Sequence, residues 1–343
     1  MSGKSLRPES PVAFEPRPFR PAAALASPHL QTIGGRLLRR AAPPPLRRER
    51  VDLPDGDFVD LDFAERPHAD APLVLLLHGL EGSARRGYAL NVYRELAARG
   101  IASVGLNFRS CSGEPNRGPR FYHSGDTGDL RHVAALLRAR FPHGPLGAIG
   151  FSLGGNALLK YLGEEGGAAP FAAACAVSVP YDLSAGADAL DATPMGRFYT
   201  RIFLKSLIAK ADAKAALLAD RCDIERVRAA RSFREFDDAA TAPLHGFAGA
   251  ADYYDRSSSR PFLERIRVPT LLLHAADDPF LPGASFPGRE AAANPCITVV
   301  LTRHGGHVGF IEGPPWAPRF WAEEQAARFF TERFAASAGR TAA

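Results

Sequence analysis

The chain has 343 residues, a formal net charge of +5, and 46% hydrophobic against 23% charged residues. That balance excludes a disordered or collagen-like chain and allows one large buried core. The positive excess is mostly scattered arginine, which gives no reason to expect a nucleic-acid partner.

Residues 1–46 are rich in Pro, Arg and Ala and are expected as an N-terminal arm lying over a domain formed by 47–343. The opening "MSGKSLRPESPVAFEPRPFRP" has no apolar core of a secretory signal, and no run of ~18 uncharged apolar residues follows anywhere, so no transmembrane helix is expected. "RVDLPDGDFVDLDF" alternates around Asp55-Gly56 and predicts a hairpin.

From residue 72 the rhythm changes. "PLVLLLHG", "IASVGLNF", "PLGAIGF" and "FAAACAVSVP" are short apolar runs suited to buried parallel strands. Between them "GYALNVYRELAARG", "DTGDLRHVAALLRARF" and "GGNALLKYLGEE" carry helical spacing. Alternation of this kind predicts an α/β fold, a doubly wound and mostly parallel sheet. It lapses over about 183–245, a charged and helix-like stretch that is read as an inserted cap. It resumes with "VPTLLLHAADDP", "PGASFPGREAAA", "CITVVLT" and a final amphipathic helix in "RFWAEEQAARFFTERFAA".

Chemistry concentrates in "AIGFSLGGNALLKYL". Gly150, Ser152 and Gly154 spell G-x-S-x-G between a strand and a helix, which puts Ser152 on a tight turn at the carboxyl edge of the sheet. A serine hydroxyl needs a base, and the base needs a third group to orient it. Asp277 and Asp278 end one later strand; His304 and His307 follow the next. Either aspartate and either histidine fit the order serine, acid, histidine. The amides of Leu153 and Leu80 are the expected oxyanion donors, with His78 ordering the Leu80 loop. His304 and His307 lack the third ligand of a metal pattern. Cys111, Cys175, Cys222 and Cys296 form neither C-x-x-C nor a zinc spacing and are expected as free thiols of a cytoplasmic protein. In "RFYTRIFLKSLIAK", the stripe Phe198, Ile202, Phe203, Leu207 and Ile208 suits either cap core or the wall of an acyl pocket.

Seven stretches in order, "SPHLQTI", "HGLEG", "NFRSCSGEPNRGPRFYHSGDTGDL", "GFSLGGNALLKYLGE", "GFAGAADYYDRSS", "AADDPF" and "GGHVGF", resemble the YheT-like branch of the α/β-hydrolases. The match covers most of the chain; it departs from the branch in "FRSCSGE", where relatives typically show R-G-C, and no N-terminal membrane anchor like that of the mammalian members is expected. The resemblance implies the α/β-hydrolase fold with a helical cap. It implies Ser152, Asp278 and His307 as the catalytic set, and no cofactor or metal. The implied activity is that of a serine carboxylesterase or lipase on short- to medium-chain esters or acylglycerols. The alternatives are acyl transfer to an alcohol on the same triad, or a non-catalytic binding protein. The expected partner is a small-molecule ester. Peripheral contact of the basic arm with lipid and the oligomeric state stay open.

Overall fold

A computed structural model describes residues 14–40 and 42–341. Its main sheet has eight strands: β1 (Leu46–Asp52), β2 (Phe58–Ala64), β3 (Leu73–Leu77), β4 (Ala102–Asn107), β5 (Leu146–Phe151), β6 (Ala173–Val177), β7 (Thr270–Ala275) and β8 (Ile297–Thr302). Their order is β1-β2-β4-β3-β5-β6-β7-β8. β1 and β2 form the hairpin around Gly56, with Asp52 opposite Phe58, and β2 runs antiparallel to β4. Every other neighbouring pair is parallel.

Both faces of strands β3 to β7 are covered, which explains why they read as unbroken apolar runs, while the edge strand β8 leaves Val299 and Leu301 exposed. Successive residues of β3 alternate between faces. Leu73, Leu75 and Leu77 meet α3 (Gly128–Arg140) and α4 (Leu153–Glu165), while Val74 and Leu76 meet α2 (Gly87–Ala97) and α13 (Trp321–Thr341). Chain order reverses between β3 and β5, since β4 lies on one side of β3 and β5 on the other. Ligands of open α/β sheets bind in the crevice outside such a reversal.

Between β6 and β7 the chain makes a run of helices. Those used below are α5 (Leu183–Ala192), α6 (Pro194–Ala213), α10 (Ala242–His245) and α11 (Ala250–Ser257). Shorter helices α7 (Ala215–Leu218), α8 (Ile224–Ala229) and α9 (Phe233–Phe236) lie between α6 and α10, and α12 (Gly288–Ala293) lies between β7 and β8. Capping side chains start several of them: Thr193 Oγ1 accepts Gly196 N–H, and Asp182 Oδ1 accepts Ala185 N–H. Helical structure continues past residue 245, because α11 packs Tyr253 and Tyr254 against Leu183 and Ala187 of α5.

The N-terminal segment contains a helix that composition did not announce, α1 (Pro28–Leu38). Its two central glycines and lack of acidic residues give little local signal. Tertiary bonds hold it instead. Gln31 is fully buried; its Nε2 donates to Ile311 O and its Oε1 accepts from Ile311 N. Arg39 pairs with Glu323 of α13 at 2.7 Å in a buried ion pair.

Candidate active site

Ser152 sits between β5 and α4 at φ 51° and ψ −118°. A non-glycine residue there costs about 1–3 kcal/mol, so the surroundings must enforce it. They do so by close approach. A Cβ on Gly150 would collide with the Gly154 carbonyl, and a Cβ on Gly154 with the carbonyls of Leu77 and His78. Ser152 N–H donates to Val177 O, tying the elbow to β6.

Ser152 Oγ lies 2.9 Å from His307 Nε2, and His307 Nδ1 lies 2.8 Å from Asp278 Oδ2. The other Asp278 oxygen accepts Phe280 N–H at 2.9 Å, and the Phe280 ring stacks on the His307 imidazole at 4.3 Å. The neighbouring pair does something different. Asp277 Oδ1 accepts Gly306 N–H at 2.9 Å, and its Oδ2 lies 3.3 Å from His304 Nδ1. Asp277 therefore holds the loop that carries His307, and the half-exposed His304 is engaged with Asp277 rather than with the serine.

The His307 loop is strained. Gly305, Gly306, Val308 and Phe310 all have positive φ. Distant residues hold it. Thr32 Oγ1 of α1 accepts His307 N–H, Ser178 Oγ accepts Val308 N–H, and Arg39 donates to the carbonyls of Val308 and Gly309. Sequence reasoning did not assign Thr32, Arg39 or Ser178 to the site. The motif "SPHLQTI", which contains Thr32, was the available signal.

The amides of Leu80 and Leu153 have no protein acceptor among the described residues. Leu153 N is the first amide of α4, where the helix dipole favours negative charge. Leu80 is oriented through the peptide before it. Phe108 N–H donates to His78 Nε2, which leaves the proton on Nδ1, and Nδ1–H donates to Gly79 O at 2.7 Å. Gly82 N–H holds the same oxygen. The peptide is trans, so Leu80 N–H emerges on the edge opposite His78. Burial pushes the His78 pKa down to about 3, which keeps the ring neutral and able to accept from Phe108.

These groups open on a cavity of about 820 Å³ between sheet edge and cap. Phe198, Ile202, Phe203 and Leu207 of α6 line it, while Ile208 packs inside the cap. The loop "GEPNRGPRFYHSGDTGDL" divides its work. Asn116 and Arg117 bind the buried Asp57 carboxylate, whereas Phe121, Tyr122, His123 and Ser124 face the cavity. Next to Leu80, Glu81 bridges core and cap: its carboxylate accepts from Tyr122 O–H, Lys210 Nζ and Ser206 O–H. Cys111 is buried beside Lys210, and burial pushes its thiol up to about 11, which suits a packed side chain better than a nucleophile.

One group has the composition of a metal site. Ligand atoms of His123, Asp126 and His245 lie within 4.8 Å of one another. Burial drives the two imidazoles down to about 3 and about 2, which leaves them neutral as ligands must be. Their surroundings oppose a cation. Arg120 lies 3.4 Å from Asp126, Arg109 adds positive potential, and His123 Nδ1 already accepts Gly125 N–H.

The sheet order, the elbow and the cap define an α/β-hydrolase, and the family profile for the alpha/beta hydrolase fold matches residues 72–314. The chain belongs to that family. Within it the protein is YheT-like: it is 42% identical over 312 residues to "Putative esterase YheT" of Escherichia coli (strain K12), across 90% of this chain and 91% of that protein. It is 32% identical to mouse (Mus musculus) "Phospholipase ABHD3", across 82% of this chain and 71% of that protein. Among solved structures, a Pyrococcus furiosus esterase, Pf2001, superposes with a TM-score of 0.56 at 15% identity, over 86% of this chain and 98% of that one, a likeness of fold. No described helix is long and apolar enough to cross a membrane.

Proposed function

We propose that the protein is a serine carboxylic-ester hydrolase. The observation that carries this reading is the continuous relay from Ser152 Oγ through the His307 ring to Asp278, at 2.9 and 2.8 Å, at the edge of an apolar cavity. In the proposed reaction Ser152 Oγ attacks the ester carbonyl while His307 Nε2 takes its proton. Asp278 holds the imidazole and stabilises the imidazolium. The amides of Leu80 and Leu153 receive the oxyanion, each worth about 2.7–4 kcal/mol in the transition state. When the C–O bond breaks, His307 returns the proton to the departing alcohol. Water, deprotonated by His307, then releases the acid from the acyl-serine.

Two features support short- to medium-chain acyl groups or acylglycerols as the substrate class. The cavity walls include Leu190, Phe198, Phe203 and Leu207, and the relatives carry esterase and phospholipase names. The four cysteines are free thiols, three of them buried, which supports residence in a reducing cytoplasm.

A series of p-nitrophenyl esters of increasing chain length tests this reading. Each buried methylene is worth roughly 0.8 kcal/mol, so kcat/KM should climb about four-fold per CH₂ until the cavity is full. Phe203→Asp should flatten that climb and spare the acetate. A folded protein that hydrolyses none of the series contradicts the esterase. An equal fall at every length in Phe203→Asp contradicts the acyl pocket.

A further inference from the structure

Three of the large apolar side chains left exposed belong to the cavity wall. Leu37 of α1 is 60% exposed, Phe198 of α6 is 50% and Ile202 of α6 is 40%, yet all three also line the cavity. Residues that are both lining and exposed mark its mouth. The two helices meet there, since His29 Nδ1 lies 3.1 Å from Tyr199 O–H. Monomeric proteins rarely leave such a cluster open to water without a use for it.

The stretches of the two helices that form the mouth carry charge of one sign. From Pro28 to Arg40 and from Pro194 to Ala211 the chain has no Asp or Glu. Arg36, Arg40, Arg197, Arg201 and Lys205 on these stretches are exposed. None of the five forms an ion pair within 4 Å among the described residues, although Asp191 lies near enough to Arg197 to feel its charge; Arg40 and Arg197 donate to backbone carbonyls. Some cations elsewhere are ion-paired instead. Arg48, Arg50 and Arg109 each grip one or more aspartates. Apolar side chains projecting among unpaired cations complement a surface that is negative outside and hydrocarbon beneath.

We infer that the α1–α6 rim of the cavity docks the protein on anionic lipid bilayers, with Leu37, Phe198 and Ile202 entering the headgroup layer. The mouth then faces the membrane, and an ester can pass from bilayer to Ser152 without crossing open water. The docking itself does not depend on the esterase reading, because it requires no turnover.

The test separates the two. Full-length Ser152→Ala protein is sedimented with vesicles of equimolar POPC and POPG, and with vesicles of POPC alone. The expected result is co-sedimentation with the anionic vesicles at low salt, reversed by high salt. Replacing Arg201 and Lys205 together by Gln should weaken partitioning roughly five-fold per charge. Ile202→Ser should weaken it about ten-fold. In the active protein, Arg201→Gln with Lys205→Gln should leave hydrolysis of soluble p-nitrophenyl acetate unchanged. A protein that stays in the supernatant with anionic vesicles at low salt overturns the inference. Binding that ignores all three substitutions overturns it too, because another surface then holds the lipid. A parallel loss of acetate hydrolysis would place the two cations in the cavity's own work and overturn it as well.

Discussion

The two loops that meet at the cavity are built in opposite ways. The Ser152 elbow is held by its own neighbourhood: Gly150 and Gly154 permit the close crossing of β5 and α4, and the Val177 carbonyl fixes the turn. The His307 loop has as much backbone strain, and besides the bond within it from Phe310 N–H to Gly305 O and its anchor on Asp277 it leans on distant residues. Thr32 and Arg39 hold it from across the chain, and Ser178 holds it from the end of β6. On the proposed reading, the nucleophile is fixed by backbone packing, and the base, which must move a proton between two partners, is fixed by hydrogen bonds that give slightly without breaking.

The largest effect is expected at the two aspartates behind His307. Asp278→Asn leaves the ring in place but favours the wrong tautomer, and kcat should fall by about 10⁴. Asp277→Asn removes only a loop anchor and should cost far less. Steady-state kinetics on one soluble ester decides between them, and the reverse ranking would transfer the acid to Asp277.

A smaller effect should come from α1. Thr32→Val keeps the shape and loses the acceptor for His307 N–H. Misplacing the imidazole should lower kcat about ten-fold, with the melting temperature nearly unchanged. An unchanged kcat would mean that Asp277 and Ser178 suffice to hold the loop.

That long-range support explains what could be read without coordinates. The strand and helix succession was legible because apolar runs, helical spacing and Gly stops are local signals, and the hairpin at Gly56 was legible for the same reason. The turn at Ser152 was legible because its glycines are adjacent in sequence. Helix α1 was not. "PHLQTIGGRLL" has two glycines in its middle, and its stability comes from Gln31 on Ile311 and Arg39 on Glu323, some 280 residues away. The choice between Asp277 and Asp278 was open on spacing alone, since only the turn at Phe280 decides which carboxylate faces His307. The cap stripe was equally ambiguous, because helical spacing cannot tell a wall lining a cavity from one packed inside the cap; Phe203 went one way and Ile208 the other.

The smallest effect at neutral pH concerns the Leu80 side of the site. His78 is held well below its unfolded value by burial. Above the unfolded pKa, ~6.5, both states are neutral and the group contributes nothing to pH dependence. As pH falls from there towards about 3, the unfolded chain takes up a proton that the folded one refuses, so stability declines. The decline is at most about 1.4 kcal/mol per pH unit for this residue. Urea unfolding of wild type and His78→Gln across that window should show a slope smaller by about one proton in the variant. Equal slopes would mean that His78 is protonated in the folded protein and cannot be the acceptor for Phe108.

The central claim is that Ser152 is the group that attacks. Intact mass and peptide mapping after treatment with a fluorophosphonate test it most directly. One adduct per chain, located on Ser152, is expected, and none in a folded Ser152→Ala variant. An adduct on any other residue of the native protein, or undiminished labelling of that variant, would contradict it.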